Sequence, residues 1–183
     1  VLLLFDIDGT LLVRAAGAHR EALHAAVREV HRVDIPDAFV ATAGRTDLAI
    51  MRSILTLAGV DARALVTGNL EPIARLKLRR AGLGEWFSKG PGGFGSDHED
   101  RSELPALARR RAAVMADGEG SAPVRRAQTV VIGDTPLDIA CARADGVRCV
   151  AVTTGPHGAA DLGDADAVID RMADLQAVLD GWT

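Results

Sequence analysis

An unbroken apolar run, Val1-Leu2-Leu3-Leu4-Phe5, narrows the choice of fold before anything else is read, because it stops abruptly in Asp6-Ile7-Asp8-Gly9-Thr10. A short strand that is apolar at every position is covered on both faces, which is the situation of a central strand in a parallel sheet. Side chains just beyond the carboxyl end of such a strand project into the crevice where open α/β sheets bind ligands. Two carboxylates two residues apart at that place repel each other, so a cation or a shared proton is needed to compensate them.

Three later segments repeat the pattern: Thr129–Ile132 leads into Gly133-Asp134, Val147–Val152 into Thr153-Thr154-Gly155, and Ala165–Ile169 into Asp170. A fifth strand is required at Ala62–Val66, where only Leu65 and Val66 are strongly apolar. A short strand, or a join across residues missing near 60–63, fits this thin segment equally. Helical patterns alternate with the strands. Leu70, Ile73, Ala74 and Lys77 share a face after Asn69, a good N-cap. Leu104, Leu107, Ala108 and Met115 follow a helical period, Leu137 to Ala144 is an Ala-rich helix ending near Gly146, and Leu175, Val178 and Leu179 mark a C-terminal helix. The stretch Gly90–Gly95 reads as a loop. Alternating strands and helices imply an α/β fold, a Rossmann-like parallel sheet flanked by helices.

Residues 14–62 interrupt the alternation with two helical patterns, Leu23, Ala26, Val27 and Val30 followed by Ile50, Ile54 and Leu57, the second closing at Gly59. The expected organisation is therefore a core of residues 1–13 and 63–183, with a small helical cap of 14–62 inserted after the first strand.

Composition removes several function classes. With 183 residues the chain can bury a sizeable core, roughly 70% of its unfolded surface. The balance of 21 basic against 25 acidic residues, 3% aromatics and no Tyr argue against a nucleic-acid groove. No apolar run approaches the ~18 residues of a membrane span, and Val1–Phe5 lacks a signal-peptide pattern. The two cysteines, Cys141 and Cys149, read as inert reduced thiols of a cytosolic protein. Arg109-Arg110-Arg111 and Arg125-Arg126 read as solvated faces.

The motifs together resemble those of haloacid dehalogenase superfamily phosphohydrolases. The D-x-D-x-T motif of that family is met by Asp6, Asp8 and Thr10, its strand-ending Thr by Thr67 in Val66-Thr67-Gly68-Asn69, and its late acidic pair by Asp134 and Asp138. The basic residue of the third motif is normally a Lys. Here Lys77 and Lys89 come too early, and Arg101, at the start of a helix over 101–116, stands nearest the expected place, with Lys89 in reserve. Arg can neutralise phosphate and carboxylate bidentately, though its reach differs from that of Lys.

The resemblance implies Asp6 as nucleophile, forming an aspartyl-phosphate, and Asp8 as the acid and base that protonates the leaving oxygen and then deprotonates water. It implies Mg²⁺ held by Asp6, Asp134 and the main-chain carbonyl of Asp8, with Asp138 in support directly or through water. Thr67, Gly68 and Asn69 would bind phosphate at a helix start. An acid at position 8 favours phosphate esters over carbon–halogen bonds, since a halide leaves without a proton. The insertion resembles the cap of phosphoglycolate phosphatase and β-phosphoglucomutase relatives, whose specificity loop is matched by Ala43-Gly44-Arg45-Thr46-Asp47. Arg45 would meet the substrate there, and His19 is a weaker candidate.

The expected function is thus Mg²⁺-dependent hydrolysis of a small phosphorylated metabolite, phosphoglycolate being the first to try, in a cytoplasmic protein without nucleic-acid or membrane partners. A phosphomutase of the β-phosphoglucomutase type is the alternative among enzymes. A phosphorylated switch or a phosphate-binding module that has lost catalysis is the alternative outside them. In receiver domains, however, the acidic pair normally comes first and the phosphorylated Asp later, the reverse of the order here.

Overall fold

The computed structural model describes residues 1–13, 62–87 and 90–182. Within them, six parallel strands form one sheet: β1 (Leu2–Phe5), β2 (Ala62–Thr67), β3 (Gly92–Phe94), β4 (Thr129–Gly133), β5 (Arg148–Val152) and β6 (Ala167–Ile169), in spatial order β3-β2-β1-β4-β5-β6. The helices are α1 (Glu71–Arg80), α2 (Gly84–Phe87), α3 (Leu104–Asp117), α4 (Pro136–Asp145) and α5 (Leu175–Asp180). The Rossmann-like α/β class expected from the apolar runs is the one observed. The expected cap, with Arg45 and His19, and the reserve residue Lys89 lie outside the described residues.

Strand alternation sorts the core into two layers. Leu3, Phe5 and Ile7 point to the face covered by α1, α2 and α5, where they meet Ala74, Leu78, Phe87 and Leu175. Leu2 and Leu4 point to the other face, against Leu104, Ala108, Ile139 and Ala142 of α3 and α4. Each fully buried Leu, Ile or Phe contributes about 1.5–3 kcal/mol, so β1, buried at all four positions, anchors both layers. β2 is a full strand despite its thin apolar content. It runs in register with β1 from Leu2↔Ala62 to Phe5↔Leu65, where Ala64, Leu65 and Val66 are all fully buried.

Several expectations need correction. Gly90–Gly95 is not all loop, because Gly92–Phe94 forms the edge strand β3. Glycine is required there: a Cβ on Gly93 would lie 2.3 Å from the carbonyl oxygen of Leu104, so side-chain-free backbone lets α3 close on the sheet. Asn69 does not cap α1. The cap position is Leu70, which is 51% exposed, and the free amide of Glu71 donates to Ser96 Oγ across the loop at 3.2 Å. The helix expected to open at Arg101 starts with a 3₁₀ turn, Arg101–Glu103, and Met115 at its far end is exposed.

The arginine run is a solvated face only in part. Arg109 is buried and grips Asp145 of α4 through two bonds of 2.7 Å each, while Arg110 and Arg111 are exposed and Arg111 pairs with Asp97. Both cysteines are buried, and burial first of all drives their thiols above the ordinary value, Cys141 to about 12. That agrees with inert core thiols. Among the described residues no helix is long and apolar enough to cross a membrane.

Candidate active site

The chain leaves β1 towards β2 and β3 on one side, then crosses back to β4 on the other, so β1 and β4 flank a topological switch point. That is where an open α/β sheet offers a crevice at its carboxyl ends. Four segments converge there: the loop after β1, the end of β2, the 3₁₀ turn before α3, and the turn between β4 and α4.

The β1 loop is shaped by its own backbone. Asp6 N continues the sheet by donating to Ile132 O at 2.9 Å, and the amides of Leu11 and Leu12 then fold back onto Ile7 O at 3.0 and 2.8 Å. Gly9 takes φ +88°, a left-handed conformation that side chains resist. A Cβ there would also lie 2.2 Å from Asp134 Oδ2, and one on Gly155 would lie 1.8 Å from the same oxygen. These two glycines admit the Asp134 carboxylate between the β1 and β5 loops. Thr10 Oγ1 donates to Asp134 Oδ1 at 3.0 Å, and Thr154 Oγ1 ties the loops together by donating to Gly9 O at 2.5 Å.

Asp6, Asp134 and Asp138 are buried, and one carboxylate oxygen from each lies within 4.8 Å of the others. Asp138 is the third residue of α4 and closes a capping box with Thr135, its Oδ2 accepting from Thr135 N at 3.0 Å and from Thr135 Oγ1 at 2.6 Å. Its Oδ1 accepts from Arg101 Nη2, which also donates to Asp6 Oδ1 at 2.9 Å. The Arg101 guanidinium therefore sits between nucleophile candidate and acidic pair. Burial opposes its charge, but Asp138 and Asp6 outweigh burial and hold it protonated.

Three buried acids against one cation leave excess negative charge, and their proton affinities show it. Burial, then Asp138 and Asp134, push Asp6 up to about 8 against the opposing pull of Arg101. Burial raises Asp134 to about 6, with Thr10 opposing and Asp138 adding to the rise. An acid whose folded-state pKa is raised costs nothing below its unfolded value near 3.8, and its penalty grows until the pH passes the folded value. Metal-free protein is therefore expected to lose stability steadily as pH rises from about 4 to about 8. Denaturant midpoints in EDTA across that range check this; a midpoint that climbs towards pH 8 would contradict it. The same charge excess, on an all-oxygen donor set, fits a hard divalent cation such as Mg²⁺.

The other expected residues fall nearby. Thr67 ends β2 fully buried, and Gly68 abuts Arg101, whose Nη1 would lie 3.3 Å from a Cβ at that position. The Asp8 side chain lies outside the three-acid cluster, so its expected metal contact is left to its main-chain carbonyl. Its Oδ2 accepts from Lys77 Nζ at 2.6 Å and from Asn69 Nδ2 at 2.9 Å. Asn69 is accordingly tied to protein groups by both ends of its amide, so neither end is left as a free donor. Lys77 is the residue that sequence reasoning missed. Rejected for the third motif by its position, it nonetheless reaches the site from the buried face of α1.

Residues 105–175 match a family model described as HAD-hydrolase-like. No curated protein matches the chain by sequence. Among solved structures, a haloacid dehalogenase-like family hydrolase from Streptococcus pneumoniae is similar over 97% of both chains, with 18% identity and a TM-score of 0.64. A provisional β-phosphoglucomutase from Thermotoga maritima is similar over 98% of both chains, with 18% identity and a TM-score of 0.64. A predicted phosphatase from Clostridium acetobutylicum is similar over 98% of both chains, with 15% identity and a TM-score of 0.66.

Proposed function

We propose that this chain, which matches a HAD-hydrolase-like family model over 105–175 and is similar in fold to haloacid dehalogenase-like structures, is a hydrolase of that kind and cleaves the phosphate monoester of a small metabolite through an aspartyl-phosphate. The observation that carries this reading is the division of labour between the two acids of the first loop. Asp6 faces Arg101 and the buried acids, whereas Asp8 is held apart from them by Lys77 and Asn69.

In the proposed reaction an Asp6 oxygen attacks phosphorus and the bond from phosphorus to the leaving oxygen breaks. Asp8 gives that oxygen its proton, so an alcohol departs. Water then attacks the same phosphorus, Asp8 takes a proton from it, the bond to Asp6 breaks, and inorganic phosphate leaves. The Thr67 hydroxyl and Arg101 orient the phosphoryl oxygens, and such positioning with charge neutralisation makes up most of catalysis in phosphoryl transfer. Asp6 and Asp134, with Asp138 beside them, are the residues that would hold Mg²⁺. Once bound, the ion would keep Asp6 and Asp134 ionised at neutral pH and offset phosphate charge.

The test is inorganic phosphate release from a panel of phosphorylated metabolites, phosphoglycolate among them, with Mg²⁺ and with EDTA. The proposal expects metal-dependent release from one or a few compounds. Conversion of a sugar 1-phosphate to its isomer without phosphate release would replace it with a mutase, and inertness of the folded protein would replace it with a binding module.

A further inference from the structure

Lys77 is a buried cation with no part in the reaction as derived above. Its side chain is fully inaccessible, and its Nζ donates to Asp8 Oδ2 at 2.6 Å and to Asn69 Oδ1 at 2.8 Å. An ammonium can only donate, so the Asn69 atom facing it must be the amide oxygen. That fixes the other end of the amide: Asn69 Nδ2 donates to Asp8 Oδ2 at 2.9 Å and to Thr67 Oγ1 at 2.8 Å.

Two consequences follow from counting donors and acceptors. Thr67 Oγ1 already accepts from Asn69 Nδ2 and, at 3.3 Å, from Asn69 N. Its single hydrogen is therefore left to donate outwards, which is the polarity a phosphate oxygen needs. Asp8 Oδ2 is occupied twice, by Lys77 and Asn69, whereas Asp8 Oδ1 is buried and has no partner among the described residues. A buried carboxylate oxygen without a partner is costly, and a catalytic role is one of the few reasons a folded protein keeps one.

We infer that Lys77, acting through Asn69, is a positioning residue that sets Thr67 to donate to the phosphate and leaves Asp8 Oδ1 as the oxygen that exchanges the proton. This rests on the phosphatase reading and adds to it a second basic residue, distinct from Arg101, that supports the proton-transfer step. Arg101 touches Asp6 and Asp138, Lys77 touches Asp8, and the two cations serve the two halves of the site separately.

The test compares kcat/KM for two esters, phenyl phosphate and p-nitrophenyl phosphate, in wild type and Lys77→Met. This ratio covers the steps up to departure of the leaving group, and p-nitrophenolate leaves readily without a proton. The expected result is a loss on phenyl phosphate at least ~30-fold larger than the loss on p-nitrophenyl phosphate, because a misplaced Thr67 hydroxyl costs both esters alike whereas only the first leaving group depends on a placed acid. Asn69→Ala, in a partly exposed turn, is expected to show the same selectivity, and it carries the test should Lys77→Met not melt as a folded protein. Equal losses on both esters would make the pair merely structural and overturn the inference, as would no loss on either. If wild type cleaved neither ester nor any metabolite of the panel, the phosphatase reading itself would fall, and this inference with it.

Discussion

Asp6→Asn is expected to lower phosphate release by at least ~10⁴-fold, in line with the loss of an enzyme nucleophile. The amide keeps the shape of the carboxylate and an oxygen that can still accept from Arg101 Nη2, so the loss would report chemistry and not collapse of the site. Stability should move the other way. Asp6 is a charge that burial and two neighbouring acids oppose, and its neutral replacement removes that penalty. At pH 8 in EDTA, Asp6→Asn should therefore melt above wild type, while at pH 4 the two should melt together. Activity close to wild type would remove Asp6 from the nucleophile role.

The second large effect falls on Arg101. Removing it leaves Asp138 and Asp6 buried beside each other without their shared cation, and breaking a buried ion pair in this way costs about 3–5 kcal/mol. Arg101→Ala should accordingly be much less stable in EDTA near pH 8, with part of the loss recovered when Mg²⁺ is added. Turnover should fall ~10²–10³-fold even at saturating Mg²⁺, the usual cost of deleting a placed charge donor at the reacting centre. Lys89→Ala should cost far less. Phosphate-release rates for the two variants decide between them, and the reverse order would transfer the third-motif role to Lys89.

What could be read in advance followed from where apolar and acidic residues meet along the chain. The apolar run had to be a covered strand, as Leu2–Phe5 is although Val1 is exposed, and Asp6 had to stand at its open end; the same holds for Thr129–Gly133 and Asp134. Local order was enough for these because each strand carries its own site residue. Arg101 was placed by its position relative to the motifs, and the structure brings it onto Asp6 and Asp138.

The residues that escaped are those whose meaning depends on a distant partner. Lys77 was already on the apolar face of its helix with Ala74, and a lysine at a buried helical position demands a carboxylate, but nothing local named Asp8, 69 positions away. Arg109 likewise looked solvated until Asp145 of α4 stood opposite. β3 was missed because glycines lower strand propensity, whereas here the close approach of Leu104 requires them. Asn69 carried the composition of a cap, but its amide is occupied by Asp8, Lys77 and Thr67.

The account stands on Asp6 carrying the phosphoryl group. It is tested most directly by acid-quenching the protein during turnover of whichever ester it cleaves, then mapping phosphate by peptide mass spectrometry. Asp8→Asn is used beside wild type with p-nitrophenyl phosphate, whose leaving group departs without a proton, because the first step then still runs while the second, without its base, should stall and let the intermediate build up. The account predicts a base-labile phosphoryl group on the peptide containing Asp6, stronger in Asp8→Asn and absent from Asp6→Asn. Phosphate on another residue, or none on any residue while wild type turns over, would contradict it.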